Sequence, residues 1–207
     1  MIVAALYVDA RRGPYAALPD VEIWDEARDA TRYDGPHPVV AHPFCGPWGR
    51  LRGQCRLQDP THAWLGLMQV LEHGGVLEHP AGSLLWTREG RGLVLGRNGH
   101  LPDLPLPGEA PRPLGGRLVF TVEVDQCDWG HQARKRTWLL VCGLADPAQL
   151  PPVPPPGEPT RTVQSRLHAY SGRADRLPEM SKTRRHLTPP DFAEWLVEVA
   201  RRTRRTP

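Results

Sequence analysis

At 207 residues with a formal net charge of +3, the chain has the size of one domain and is too weakly basic to be assigned to nucleic acid on charge alone. Hydrophobic residues make up 40% of it, enough for a real core, yet no apolar run approaches the ~20 residues of a membrane-spanning helix. Cys45, Cys55, Cys127 and Cys142 show no C-x-x-C spacing, which favours a reduced, cytoplasmic setting over a disulfide framework.

The first residues, Met1 to Val8, have no basic lead and no cleavage site. They read as a first strand, Ile2 to Val8, rather than a signal peptide. Asp9 closes it, and Ala10 to Tyr15, with Gly13 and Pro14, is a turn. Val21 to Trp24 predicts a second strand ending at Asp25, too close behind the first for a full crossover helix. Glu26 to Tyr33 reads as one helical turn or a loop. A third strand, His37 to Ala41, delivers the chain to His42-Pro43-Phe44-Cys45-Gly46-Pro47-Trp48-Gly49. Pro and Gly crowd around one Cys there, predicting a rigid loop at a strand's carboxyl end, where ligands sit in open α/β sheets.

Pro60 to His73 predicts a helix, with Ala63, Trp64, Leu67, Met68, Val70 and Leu71 on its apolar face and Gly74-Gly75 as its stop. Val76-Leu77 then runs as a strand into a polar loop, Glu78 to Ser83. Residues 88–116 read as loop. Thr121 to Asp125 alternates like a strand with one buried face, and Trp138 to Cys142 reads as a buried strand. Between them Gly130 breaks the backbone, and Gln132, Arg134, Lys135 and Arg136 make a basic turn suited to an anion, phosphate above all. A solvated charge run is the plain alternative.

The chain has 24 prolines, densest at 102–113 and 147–159, which marks those stretches as loops or linkers. Thr188 reads as an N-cap with Pro189 at the first helical position. Phe192, Trp195, Leu196 and Val199 form the stripe of a closing helix to about Arg202. Lys182, Arg184, Arg185, Arg201, Arg202, Arg204 and Arg205 make this end basic. Together the elements predict an α/β fold with a truncated Rossmann-like, mostly parallel sheet over 1–143. A Pro-rich irregular linker or reduced recognition region follows over 144–183, then a closing basic helix over 184–207.

Cys45 is the one thiol in a loop built for a nucleophile, against the alternative of a packed thiol. Glu78 on a neighbouring strand end is placed to hydrogen-bond or protonate a ring nitrogen, against the alternative of a loop cap. Arg134 and Arg136 are the expected cations beside both thiolate and phosphate. Four segments, in order, resemble the DNA (cytosine-5) methyltransferase family. His42-Pro43-Phe44-Cys45 resembles its Pro-Cys loop, with Phe44 intervening. Val76-Leu77-Glu78-His79 resembles its strand and Glu-Asn loop, with His79 in place of Asn. Gln132-x-Arg134-x-Arg136 matches its basic turn, and Arg185-His186-Leu187-Thr188-Pro189 its Arg-x-Leu-Thr-Pro segment.

The resemblance implies a compact, phage-type enzyme that flips a cytosine from DNA, attacks C6 with Cys45, pairs Glu78 with the N3 edge and steadies the base with Arg134, with Arg136 near the backbone. It implies S-adenosylmethionine as methyl donor, held by Asp9 and Gly13 in the first loop, by Asp25 on the ribose and by Asp29 on the adenine amine. Gln132, Lys135 and Trp48 would contact nucleic acid, with Trp48 and Trp129 as stacking platforms. The Phe-x-Gly-x-Gly loop of the family is replaced by Asp9-Ala-Arg-Arg-Gly13-Pro14. A non-catalytic DNA-binding relic is the alternative. A Cys2His2 metal set from His42, Cys45, Cys127 and His131 is a further one, although neither spacing is a usual zinc pairing. His79 and His131 read as structural histidines before ring-orienting ones.

Overall fold

A computed structural model describes residues 1–50, 52–56, 59–87, 90, 94, 103–163 and 177–203, with only the backbone of Lys182. Arg204 and Arg205, most of the stretch 88–102 and residues 164–176 of the expected recognition region lie outside them. The elements are β1 (Val3–Leu6), β2 (Val21–Trp24), β3 (Val39–Ala41), α1 (Thr61–His73), β4 (Gly75–Pro80), β5 (Arg112–Leu114), β6 (Arg117–Asp125), β7 (Arg136–Cys142), α2 (Lys182–Arg185) and α3 (Pro190–Arg202). They build one α/β layer around a seven-stranded mixed sheet in the order β2-β1-β3-β4-β7-β6-β5.

The expectation of a mostly parallel sheet needs correcting. β1 to β4 are parallel neighbours, but β4/β7, β7/β6 and β6/β5 are antiparallel, and the longest ladder pairs Val119–Asp125 with Arg136–Cys142. The cause is local. Gly115 and Gly116 both have positive φ, +59° and +77°, the geometry of a two-residue hairpin, inside a stretch that read as loop. The β6–β7 connection carries only a 3-10 turn at Gln126–Trp129, too short to cross over. Even the parallel half has a single crossover helix, α1. The other two crossings hold 3-10 turns at Pro14–Ala17 and Ala30–Arg32.

Strands β1 and β3 and the start of β4 are apolar on both faces, as a sheet covered twice must be. Val3, Ala5, Val40 and Val76 pack under α3 with Phe192, Leu196 and Val199. The alternate residues Ala4, Leu6, Val39, Ala41 and Leu77 pack under α1 with Ala63, Leu67 and Val70. Helix α3 starts one residue later than the sequence suggests. Pro189 is its N-cap, with φ −58° and ψ 141°, and Pro190 is the first helical residue. A residue before proline is driven out of the helical region, so Pro189 cannot itself open the helix. Residues 144–163 lie against this body rather than apart from it. Trp195 Nε1 donates to the carbonyl of Pro152 at 3.0 Å, Gly157 N donates to Asp128 at 2.9 Å, and Ala133 bridges to Arg161. Among the described residues no helix is long and apolar enough to cross a membrane.

Candidate functional site

Because β1 to β4 run parallel, the residues that end or follow them share one edge of the sheet. Strand β4 extends through His79 to Pro80, so Glu78 is a strand residue and not a loop residue. Its side chain lies on the α3 side, as Val76 does, and is buried. Its Oε2 lies 3.2 Å from His42 Nδ1, and its Oε1 accepts from Gln126 Nε2 at 2.9 Å. Gln126 Nε2 also reaches Thr137 Oγ1 at 3.0 Å, and Thr137 donates to the Lys135 carbonyl at 2.8 Å. On the far side of His42, Nε2 is hydrogen-bonded to the hydroxyl of Tyr15, a fully enclosed ring.

Burial and the Glu78 charge push the Tyr15 hydroxyl well above its ordinary pKa, so it stays protonated and has one proton to give. With a neutral His42 ring, Nε2 then accepts, and Nδ1 carries the proton that is donated to Glu78. Burial would by itself raise Glu78. The charge of Lys135, the hydrogen bond from His42 and the fields of His42 and His79 outweigh it and hold the carboxyl at about 2.

Cys45 lies three residues beyond His42 in the loop after β3 and is half-buried. Its carbonyl accepts from Trp48 N at 3.1 Å and Gly49 N at 2.9 Å, and Leu84 N ties the loop to the β4 side through the Trp48 carbonyl at 2.9 Å. A Cβ on Gly46 would collide with Cys55 Sγ and the Phe44 ring, so the glycine lets this loop close. Burial, then the Glu78 charge, raise the Cys45 pKa, and Lys135 offsets part of that rise. At rest Cys45 is a thiol.

The cation facing Cys45 and Glu78 is thus Lys135, and the two arginines expected there face elsewhere. Along the turn His131 and Ala133 are buried and Lys135 is half-buried, while Gln132, Arg134 and Arg136 are exposed. Arg134 Nε lies 3.6 Å from Asp125, Arg136 pairs with Glu123, and the Gln132 carbonyl holds Thr160 and Arg161. Asp125 accepts from Lys135 N at 3.0 Å and fixes the phase. With a period of two, a one-residue shift exchanges the faces. Lys135→Gln is therefore expected to slow alkylation of Cys45 by iodoacetamide several-fold at fixed mildly alkaline pH, since losing the cation lowers the thiolate fraction. Arg134→Ala should leave that rate unchanged. Equal rates in the two variants, followed by mass spectrometry, would reverse the assignment.

The two tryptophans expected to stack on a base are core residues. Trp48 has 0% exposure, and Trp129 is wedged against Phe192 and Trp195 with ring centroids 4.9 and 5.2 Å away. His79 lies on the opposite face from Glu78. Its Nδ1 is 2.7 Å from Ser83 Oγ, and burial, against the pull of Glu78, lowers its pKa to about 4. His131 turns Nδ1 onto the Ala133 backbone. Among the described residues no three His, Cys, Asp or Glu side chains gather as a metal site, so the Cys2His2 set does not assemble.

The residues expected to hold S-adenosylmethionine are all engaged in local turns. Asp9 Oδ1 accepts from Arg11 N at 2.9 Å and Arg12 N at 3.1 Å, and Gly13 N donates to the Asp9 carbonyl at 2.8 Å. Three of the amides that a ligand-binding loop would present are thereby engaged within the loop. Asp25 accepts from Arg28 N at 3.0 Å, and Asp29 from Thr31 N at 3.2 Å. Trp24, beside Asp25, is covered by the Arg28 guanidinium 4.0 Å above its ring. Between the β1 and β3 loops, where strand order reverses and a ligand would lie, stands Tyr15. These residues do not fit the donor.

Sequence reasoning missed Tyr15, Gln126 and Thr137, and took His42 only as a metal ligand. The available signal was spacing: His42 lies two residues beyond Val40 and Thr137 two beyond Lys135, each on the face of the partner it meets. No protein-family model matches the chain, and no curated protein does.

Proposed function

We propose that the chain binds DNA and engages a pyrimidine base, cytosine in the first instance, through Cys45, in the manner of the DNA (cytosine-5) methyltransferase family. What supports this reading is that Glu78, buried and paired with His42, ends the parallel strands beside the loop that carries Cys45, and that the charges of Glu78 and Lys135 both act on that thiol. The base is extruded from the stack and enters at the Cys45 loop. The thiol adds across C5=C6: sulfur bonds to C6, the π pair moves to C5, and C5 takes the proton. The reverse step expels Cys45 and restores the ring. Glu78, ionised and held on both oxygens, accepts from the exocyclic N4–H group, and Lys135 balances charge as sulfur becomes anionic. Arg134 and Arg136 sit on the exposed side of the same turn in surface ion pairs worth little, which phosphates can replace.

A DNA-binding protein that forms no bond to the base is the second reading, favoured by the raised pKa of Cys45. A duplex carrying 2-pyrimidinone in place of cytosine separates the two, because this ring accepts a thiol at C6 and releases it slowly. A denaturant-resistant adduct, lost in Cys45→Ala, is expected. Duplex binding without an adduct would leave the second reading.

A further inference from the structure

We infer that the crevice between the β1 and β3 loops is closed by a relay, Tyr15 to His42 to Glu78, and takes no nucleoside cofactor, so that Tyr15 and His42 are positioning residues for Glu78. In an open α/β sheet this crevice is the place where a nucleoside cofactor would lie. Here the strand order reverses between β1, which pairs with β2 on one side, and β3 on the other. The segment after β1 sends Tyr15 into that gap, where the ring is 2% exposed and packs with Val3, Ala5 and Val40 under α3. Its hydroxyl meets His42, the first residue after β3. The gap is filled by the chain's own aromatic ring, and the neighbouring amides are bound by Asp9.

The same ring has a second consequence. With Tyr15 donating to Nε2, a neutral His42 has its proton on Nδ1 and must aim it at Glu78 Oε2, 3.2 Å away. Gln126 holds the other oxygen from β6's end. Glu78 is then fixed in direction and restricted to accepting. The charged and titratable groups around it are Lys135 from the β7 side, His42 and Cys45 from the β3 loop, His79 from its own strand and Tyr15 from beneath α3. The closure stands without the proposed reaction, and only the purpose of aiming Glu78 rests on it.

Two measurements on the whole protein test this, neither involving DNA. Titration calorimetry of S-adenosylmethionine into the wild-type chain is expected to give no saturable heat, and saturable binding would overturn the closure. Nitrogen-15 spectra of His42 are expected to show the Nδ1-protonated tautomer in the wild type. In Tyr15→Phe, which keeps the ring and removes the donor, the Nε2-protonated form should become populated. An Nε2-protonated ring in the wild type, or the same tautomer in both proteins, would mean that Tyr15 only fills space and would overturn the relay. Failure of the pyrimidinone adduct would leave both results standing.

Discussion

Gly75→Ala is expected to cost at least about 4 kcal/mol of unfolding free energy, near the upper end for point substitutions. Gly75 opens β4 with φ +119°, a conformation that an L side chain rarely adopts. A Cβ built there would overlap the Val39 carbonyl oxygen and crowd the Val39 nitrogen, both backbone atoms with nowhere to move. Val39 is the register partner of Gly75, and its N–H donates to the Gly74 carbonyl at 2.9 Å. Relieving the overlap would part β3 from β4, and with them His42 from Glu78. Gly82→Ala is the control. It also has positive φ, +77°, but nothing within 4 Å of the added carbon, so backbone strain of about 1–2 kcal/mol is its whole cost. Urea unfolding of the two variants should separate them clearly, and similar midpoints would discard the steric account.

The second large effect is a loss of stability in acid, in two steps. His79 is held at about 4 in the folded protein against 6.5 when unfolded, because burial disfavours its charge. Its contribution is complete above pH 6.5 and is lost as pH falls through 4, since the unfolded chain takes the proton first. Glu78 has the same sign in a lower window: held at about 2 against 4.5, it contributes fully above pH 4.5 and loses that contribution as pH falls through 2. Each is worth roughly 3 kcal/mol, at about 1.4 kcal/mol for each tenfold change in proton affinity. His79→Gln should flatten urea-measured stability between pH 6.5 and 4 and leave the lower fall in place. Glu78→Gln should do the reverse. A wild-type curve that is level from pH 6.5 to 4 would show that His79 is reached by water or protonated within the fold.

Apolar runs and stop signals made much of the fold readable. Val3–Leu6, Val21–Trp24, Val39–Ala41 and Thr61–His73 fall inside or beside their expected ranges, because short apolar runs closed by polar residues and a Gly-terminated apolar face have few other uses. Strand direction was harder, since it hung on the Gly115-Gly116 hairpin inside a stretch that read as loop and on the short β6–β7 connection. The face of the basic turn was harder still. Arg134 and Lys135 differ little in composition or propensity, and what separates them is the bond from Lys135 N to Asp125 across the β6–β7 end. The aspartates after β1 and β2 could be read either as ligands of a cofactor or as caps of their own turns, and the backbone uses them as caps. Tyr15 carried no sequence signal, because only the tertiary fold brings it beside His42.

Helix α3 has a consequence for how the molecule comes into being. Val3, Ala5, Val40 and Val76 are made well before the helix that covers them, Pro190–Arg202. Until that segment leaves the ribosome, one whole side of the central sheet has no lid and Tyr15 has no roof. The nascent chain therefore waits with an apolar surface open, and its closing step joins residues nearly the whole sequence apart, a slow kind of contact to form. Displacing the last helix should release the Tyr15 segment together with the hydrophobic face beneath it.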